Sequence, residues 1–314
     1  MAGLALGPAR GPVDVPADLY RPGGMDVREV GRVLGGGTPD ARGCLGVGDG
    51  DVGTPEQVRI GRLFRILERS GTGRALLRQA RYRNVHVCLD RDTDLLAYYF
   101  AGVRVIGLST GLSEGGQIAY LAHELSHVPQ HPEYSDNRYF SPQDLILLRR
   151  VREAAAEAAA TRTAWELRRA GYGDAWQEKT AGSYGDVAAA FEDVISDDAS
   201  EAGADRAMRA AFDRWFHAPW RLNAYDRMTV AHLERISGDA MGLVPTRRFL
   251  SHSFLAGIAW LNGRNYLIES RGRWLTDPYY GGRVSARNAR HLRRILWHAV
   301  AGSGDRALLY DVAS

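Results

Sequence analysis

The chain has 314 residues, of which 45% are hydrophobic and 25% are charged, so it is long enough to bury a substantial core. Its formal net charge is only +3, which argues against a nucleic-acid-binding protein, and no apolar run approaches the length of a membrane span. The basic residues are almost all arginine, Lys179 being the only lysine, an imbalance typical of a GC-rich bacterial genome.

Residues 1–54 are rich in Gly, Pro and Asp without hydrophobic periodicity, which predicts a flexible leader, and the first residues are too interrupted for a secretory signal. Cys44 and Cys88 are the only cysteines. We therefore expect no disulfide framework and, by default, a cytoplasmic location in a reducing environment, with export by a non-classical route left open. Cys44 could silence a metal site as a pro-segment thiolate, but an incidental thiol in a loose loop is the expected reading.

The segment that follows the leader predicts two helices and three short strands. The helices are expected at 55–69 and 73–81, and the strands at 85–89, 96–100 and 103–108, the last two joined by a turn at Ala101-Gly102. The last of these strands is our candidate for a sheet edge that pairs with an extended peptide.

The motif His123-Glu124-Leu125-Ser126-His127 lies in a stretch of mostly apolar, helix-compatible residues. Side chains four residues apart share a helix face, so both imidazoles can reach one ion. A zinc ion bound there would leave Glu124 beside its bound water, which is the arrangement of a zinc peptidase.

A second helix is predicted downstream of the motif. Ser141 has the character of an N-cap, with Pro142 at the first helical position and Asp144 completing a capping box. The pattern continues to about Ala170, where Gly171 ends it.

This helix carries Glu153 and Glu157 in an otherwise alanine-rich stretch. A catalytic zinc site with two histidines needs a third protein ligand, and a carboxylate from a neighbouring helix is one standard solution. Glu153 can fill that position. Glu157, one turn later, would accept the remaining N–H of a ligand imidazole and so fix the orientation of its ring. A solvated acidic face on a surface helix is the alternative.

The HExxH helix followed by a glutamate-bearing helix resembles the gluzincin metallopeptidases, in which the third ligand lies on a following helix with an acidic residue four positions later. A closer resemblance, over most of residues 60–300, is to a poorly characterised bacterial metallopeptidase family. The residues that carry it are Ala97-Tyr98-Tyr99, Val105-Ile106, Leu121 to His127 with Gln130, Arg152-Glu153-Ala154, Ala211-Phe212, Trp215-Phe216, Tyr225-Asp226, Asp277-Pro278, Tyr280 and Gly282-Arg283. Ala155 replaces the acidic residue usual in that family, and Glu157 is expected to take its place.

Glu133 is an alternative third ligand. The metzincin pattern requires Gly at position 130 and His or Asp at 133, whereas this chain has Gln130 and Glu133. The missing glycine disfavours the sharp turn that would bring Glu133 back to the metal. His131 continues the spacing from His127, but Pro129 is expected to break the helix before it.

The C-terminal half predicts helices at 191–197 and 204–216 and another that begins near Pro219. A hairpin is predicted about Arg271-Gly272, and a last helix from Ser285 to about Ala301. The fold class is therefore α+β and zincin-like, mainly helical, with a small sheet packed on the HExxH helix. We divide it into a catalytic domain at 55–180 and a helical subdomain at 181–314.

These residues predict a zinc metallopeptidase in which Glu124 activates a zinc-bound water to hydrolyse a peptide bond in a protein or peptide substrate. The oxyanion needs a donor, and Tyr280 is our first choice because its segment suits a turn aimed into a cleft. The other candidates are Tyr98, Tyr99, Tyr279, His232 and His252. The alternatives are a catalytically inactive zinc-binding or recognition protein, and a secreted effector or toxin peptidase.

Overall fold

The computed structural model describes residues 43–50, 53–91, 95–130, 140–239, 250–267, 277–282 and 284–303. The strands are β1 (Leu45–Gly46), β2 (His86–Asp90), β3 (Ala97–Phe100), β4 (Val105–Ser109), β5 (Trp260–Leu261) and β6 (Arg264–Asn265). The helices are α1 (Pro55–Leu67), α2 (Gly71–Tyr82), α3 (Glu114–Gln130), α4 (Pro142–Arg169), α5 (Asp174–Ala181), α6 (Gly185–Ile195), α7 (Glu201–Trp215), α8 (Pro219–Asp239), α9 (His252–Gly257), α10 (Pro278–Gly281) and α11 (Ala286–Ser303). The described chain is thus mainly helical with a small mixed sheet, as the α+β prediction requires.

The larger sheet has the strand order β1-β2-β4-β3. β2 and β4 are parallel and run in register from His86 opposite Val105 to Asp90 opposite Ser109, whereas β1 and β3 are antiparallel to their neighbours. The two central strands contribute fully buried residues such as Val87, Ile106 and Leu108 to the core. Strands that are covered on both faces of a sheet have mostly apolar sequences, in place of alternating apolar and polar residues.

The predicted edge strand is wrong. Most of the segment 103–108 forms β4, which has a partner on both sides, and the edge position belongs to β3. Gly107 of β4 allows this pairing, because a Cβ atom there would lie only 2.1 Å from the ring of Tyr98 on β3. Among the described strands, β3 is thus the outer one, next to β4.

The expectation of no disulfide framework is also wrong, because Cys44 and Cys88 form a disulfide. Cys44 precedes β1, and both sulfurs are buried against Tyr98 and Val105. The part of the predicted leader from residue 43 to 50 is accordingly packed on the sheet through β1. The cysteine content no longer supports a reducing compartment, and the location of the protein stays a prediction.

Two helices place the candidate metal ligands. α3 packs on β3 and β4 of the sheet and is buried along nearly its whole length. α4 contacts α3, α5, α7 and α8, and its alanines from Ala154 to Ala160 are buried, which lets neighbouring backbones approach closely. The Ser141 side chain caps α4 by accepting from Asp144 N, as the sequence predicts, and the helix ends at Arg169.

The C-terminal half is helical from α6 to α8, and one buried cluster extends from Leu45 to Tyr280. The boundaries of the two predicted domains remain predictions. Most of the hairpin predicted about Arg271-Gly272 lies outside the described residues, and a shorter one, β5-β6, precedes it. α11 begins as predicted, with Ser285 accepting from Asn288 N. No helix in the described ranges is both long and apolar enough to cross a membrane.

Candidate metal centre

α3 presents the two histidines of the motif to the interior. His123, Glu124 and His127 are all buried, and the Nε2 atoms of the two imidazoles lie 3.2 Å apart. The helix continues through Pro129 and ends at Gln130, before His131, which lies outside the described residues. The i,i+4 spacing therefore converges the two rings as the sequence predicts.

Glu153 of α4 completes the cluster. Its Oε2 atom lies 3.4 Å from His123 Nε2 and 3.8 Å from His127 Nε2, and the side chain is buried. One nitrogen or oxygen from each of these three residues falls within 4.8 Å of the others, a grouping that can hold a metal ion. The close packing of α3 on α4 is what brings a carboxylate 26 residues away to the histidine pair.

Each imidazole has a hydrogen-bond acceptor on its other nitrogen. Glu157 Oε2 lies 3.2 Å from His123 Nδ1, and Gln130 Oε1 lies 2.9 Å from His127 Nδ1. Since a carboxylate and an amide oxygen only accept, both Nδ1 atoms carry the proton and both Nε2 atoms face the metal position. Glu157 thus lies where the sequence predicts an acceptor for a ligand imidazole, and its role there stays a prediction. Gln130 was missed as a ring-orienting residue, although its i+3 spacing from His127 was a local signal.

The charges in the cluster favour protonation of one imidazole, that of His123. Burial raises the pKa of Glu153, but His127 and His123 outweigh it and lower that pKa to about 2. Burial lowers the pKa of His127 to about 4, whereas hydrogen bonds to Glu153 and Glu157 overcome burial at His123 and raise its pKa to about 10. A metal ion bound at His123 Nε2 displaces that proton, so we expect metal affinity to rise with pH.

Glu124 is the buried acid next to the first histidine. Burial raises its pKa to about 7, with the nearby His123 opposing this effect and Glu153 adding to it. A carboxylate with a pKa close to neutrality can both take and return a proton at physiological pH, which is the property of a general base.

A family model supports this reading of the cluster. Residues 38–268 match the family described as "Putative metallopeptidase family (DUF6782)". The chain belongs to this family. No curated protein and no solved structure matches it. A metallopeptidase needs a metal ion, and the buried His-His-Glu cluster of this family member lies within the matched residues.

The remaining predicted site residues are placed as follows. The hydroxyl of Tyr280 donates to Asp213 Oδ1 at 2.9 Å, its ring packs against Phe216, and its backbone carbonyl accepts from Arg150. Its assignment as an oxyanion donor stays a prediction. Glu133 lies outside the described residues.

Two tyrosines near the cluster were missed. The hydroxyls of Tyr184 and Tyr225 lie 3.2 Å apart. Burial, followed by the charge of Glu157, raises the pKa of Tyr184, and burial, followed by the charge of Glu153, raises the pKa of Tyr225. Both phenols therefore stay protonated beside the two carboxylates. Tyr225-Asp226 was noted in the sequence only as a point of family resemblance, and Tyr184 carries no local signal.

Proposed function

We propose that the protein is a zinc-dependent metallopeptidase of the gluzincin type. The observation that carries this proposal is the buried set His123, His127 and Glu153, with Glu124 next to the first histidine. Two imidazoles and one carboxylate form a donor set that catalytic zinc uses. With bond lengths of about 2.0–2.2 Å, a tetrahedral ion requires donor separations of roughly 3.4 Å. The separations of 3.2, 3.4 and 3.8 Å in this cluster fit that requirement.

The number of donors favours a catalytic over a structural site. Structural zinc sites use four protein ligands, and the described residues supply three. Glu124 has no use in a structural site, yet it is buried beside His123 with a pKa near neutrality. A catalytically inactive recognition protein therefore fits the arrangement less well. An effector or toxin peptidase would share the same chemistry, and nothing in this geometry favours it.

The chain's own residues have distinct parts in the proposed reaction. The zinc ion, when bound, supplies Lewis-acid polarisation of the scissile carbonyl and lowers the pKa of water. Glu124 takes a proton from the attacking water and delivers it to the leaving amine. His123 and His127, oriented by Glu157 and Gln130, keep their Nε2 atoms on the metal side throughout.

The edge strand β3 is the proposed docking site for the substrate backbone. β3 has one partner, β4, within the described residues, and it contacts α3, the helix that carries the histidines. An extended peptide that adds a strand beside β3 would lie on the sheet that supports α3. This arrangement would give a zincin-like cleft between the sheet and the helical half, and it replaces β4 in the role that the sequence assigned to residues 103–108.

The oxyanion donor has two candidates. Tyr280 was preferred from the sequence, but its hydroxyl is bonded to Asp213. Tyr225 is the stronger candidate, because the charge of Glu153 acts on its phenol and its hydroxyl is in a partly buried pair with that of Tyr184. A protonated phenol can donate to a developing negative charge, which is worth several kcal/mol in a dry site.

The experiment compares the wild type with Glu124→Gln on a proteome-derived peptide library, with new termini identified by mass spectrometry. The substitution removes the base but none of the three metal donors, so zinc content should stay at about one ion per chain while hydrolysis is lost. Addition of a chelator and then of zinc should abolish and restore cleavage by the wild type. Equal cleavage by both proteins, or a wild type that takes up no zinc, would contradict the proposal.

A further inference from the structure

The single lysine of this chain lies beside the metal cluster. Lys179 Nζ on α5 donates to Glu157 Oε1 at 2.6 Å, and Glu157 Oε2 in turn accepts from His123 Nδ1 at 3.2 Å. Lys179 is 7% exposed and Glu157 is 2% exposed. An ammonium group, a carboxylate and a ligand imidazole therefore form one continuous buried chain that ends at the metal side of His123.

The choice of lysine at this position is unusual for this sequence. Every other one of the 40 basic residues is arginine, and arginine forms ion pairs at both buried and exposed positions, as Arg150 does with Asp226 and Arg168 with Glu192. A guanidinium is a broad planar group that donates as a fork, whereas an ammonium is compact and acts as a point charge. The position beside Glu157 is thus occupied by lysine, whose donor group is compact, and not by arginine, whose donor group is planar.

Glu157 depends on this ammonium. A buried carboxylate without a partner is strongly disfavoured, because removing its charge from water costs far more than one neutral hydrogen bond returns. Its two oxygens have Lys179 and His123 as partners in the described part of the chain. Arg221 lies over the ring of Tyr184, but it is bound to Asp186 and to the carbonyl of Ser183.

We propose that Lys179 is a positioning residue of the metal centre. It holds the Glu157 carboxylate in place, so that Oε2 accepts from His123 Nδ1 and Nε2 stays directed at His127 and Glu153. Without the ammonium, the Glu157 carboxylate turns, and His123 loses the contact that fixes its ring. The inference rests on the proposed zinc site and extends it to a residue on a third helix.

The main test measures zinc affinity by competitive chelator titration for the wild type, Lys179→Met, Lys179→Arg and Glu157→Gln. Loss of a group that orients a metal ligand typically weakens binding about 10- to 100-fold. We expect Lys179→Met to show a loss in this range and Lys179→Arg a smaller one, because the charge is kept. The double variant Lys179→Met/Glu157→Gln should lose less than the sum of the single variants, since both act through the same contact.

Arg162→Met is the matched control. Arg162 is also a buried cation, 5% exposed at its side chain, and lies on α4, but it pairs with Glu166 and Glu201 instead of with the cluster. It should keep the wild-type zinc affinity even where it lowers stability. The absorption spectrum of the cobalt-substituted protein should change in Lys179→Met and not in Arg162→Met, because the spectrum reports the geometry around the metal.

A second measurement needs no substitution. Because the chain has one lysine, labelling with 15Nζ-lysine gives a single side-chain ammonium resonance, which we expect to shift on titration with zinc. An unchanged resonance would overturn the inference even if Lys179→Met does not fold. So would a wild-type zinc affinity in Lys179→Met, or an equal loss in Arg162→Met. A wild type that binds no zinc would contradict the proposed function itself, and a zinc-binding wild type with an unaffected Lys179→Met would contradict this inference alone.

Discussion

Removing the Cys44–Cys88 disulfide should lower the stability of the sheet that supports the metal helix. The cross-link joins residues 44 positions apart and closes a loop that contains α1 and α2. In the chain-entropy treatment, closing a loop of this length removes roughly 13 cal/mol/K from the unfolded state, which corresponds to about 4 kcal/mol at 25 °C. A difference of this size changes the unfolding equilibrium by about a thousandfold.

The assay compares urea unfolding of the wild type with and without a reductant, followed by tryptophan fluorescence. Reduction keeps both sulfur atoms in the core, so the difference isolates the cross-link from the packing of Cys44 and Cys88 against Tyr98 and Val105. The double variant Cys44→Ala/Cys88→Ala serves as the control, and its unfolding should not respond to the reductant. Alkylation under denaturing conditions counts the free thiols. Two free thiols in protein kept under oxidising conditions, or no effect of the reductant on the wild type, would refute the reasoning.

The other predictions concern the metal centre. Glu153→Ala should empty the site at ordinary zinc concentrations, whereas Glu157→Ala should bind zinc only about 10- to 100-fold more weakly; chelator titrations showing the reverse order would move the third ligand to Glu157. In metal-depleted protein, Glu124→Gln should raise stability above pH 7 and not below pH 4.5, because the pKa of Glu124 is raised to about 7 in the fold. As pH rises, the Glu124 carboxyl therefore ionises in the unfolded chain before it ionises in the folded protein. The wild type loses on the order of 3 kcal/mol of stability by pH 8 for this reason. Identical pH profiles of thermal unfolding for the wild type and Glu124→Gln would contradict this. Tyr225→Phe should reduce kcat about 100-fold or more with little change in zinc content, while Tyr280→Phe should affect stability more than kcat. The opposite pattern in steady-state kinetics would restore Tyr280 as the donor.

Local spacing in the sequence is enough to predict the parts of the site that lie on one helix. The i,i+4 relation places His123 and His127 on one face of α3, and the same relation places Glu153 and Glu157 on one face of α4. The caps of α4 and α11 were predictable for the same reason, since Ser141 and Ser285 bond to backbone groups three residues away. Each of these interactions is complete within about one helical turn.

The tertiary structure decided what depends on distant segments. Strand order placed β3 at the edge and β4 inside, because a parallel pairing of β2 with β4 has no signature within either strand. The pairing of Cys44 with Cys88 likewise required β1 to join the sheet. Lys179 was visible in the sequence as the only lysine, but its function could not be seen there. The proposed function depends on the packing of α5 against α4, which brings the Lys179 ammonium to the Glu157 carboxylate, 22 residues away in the sequence.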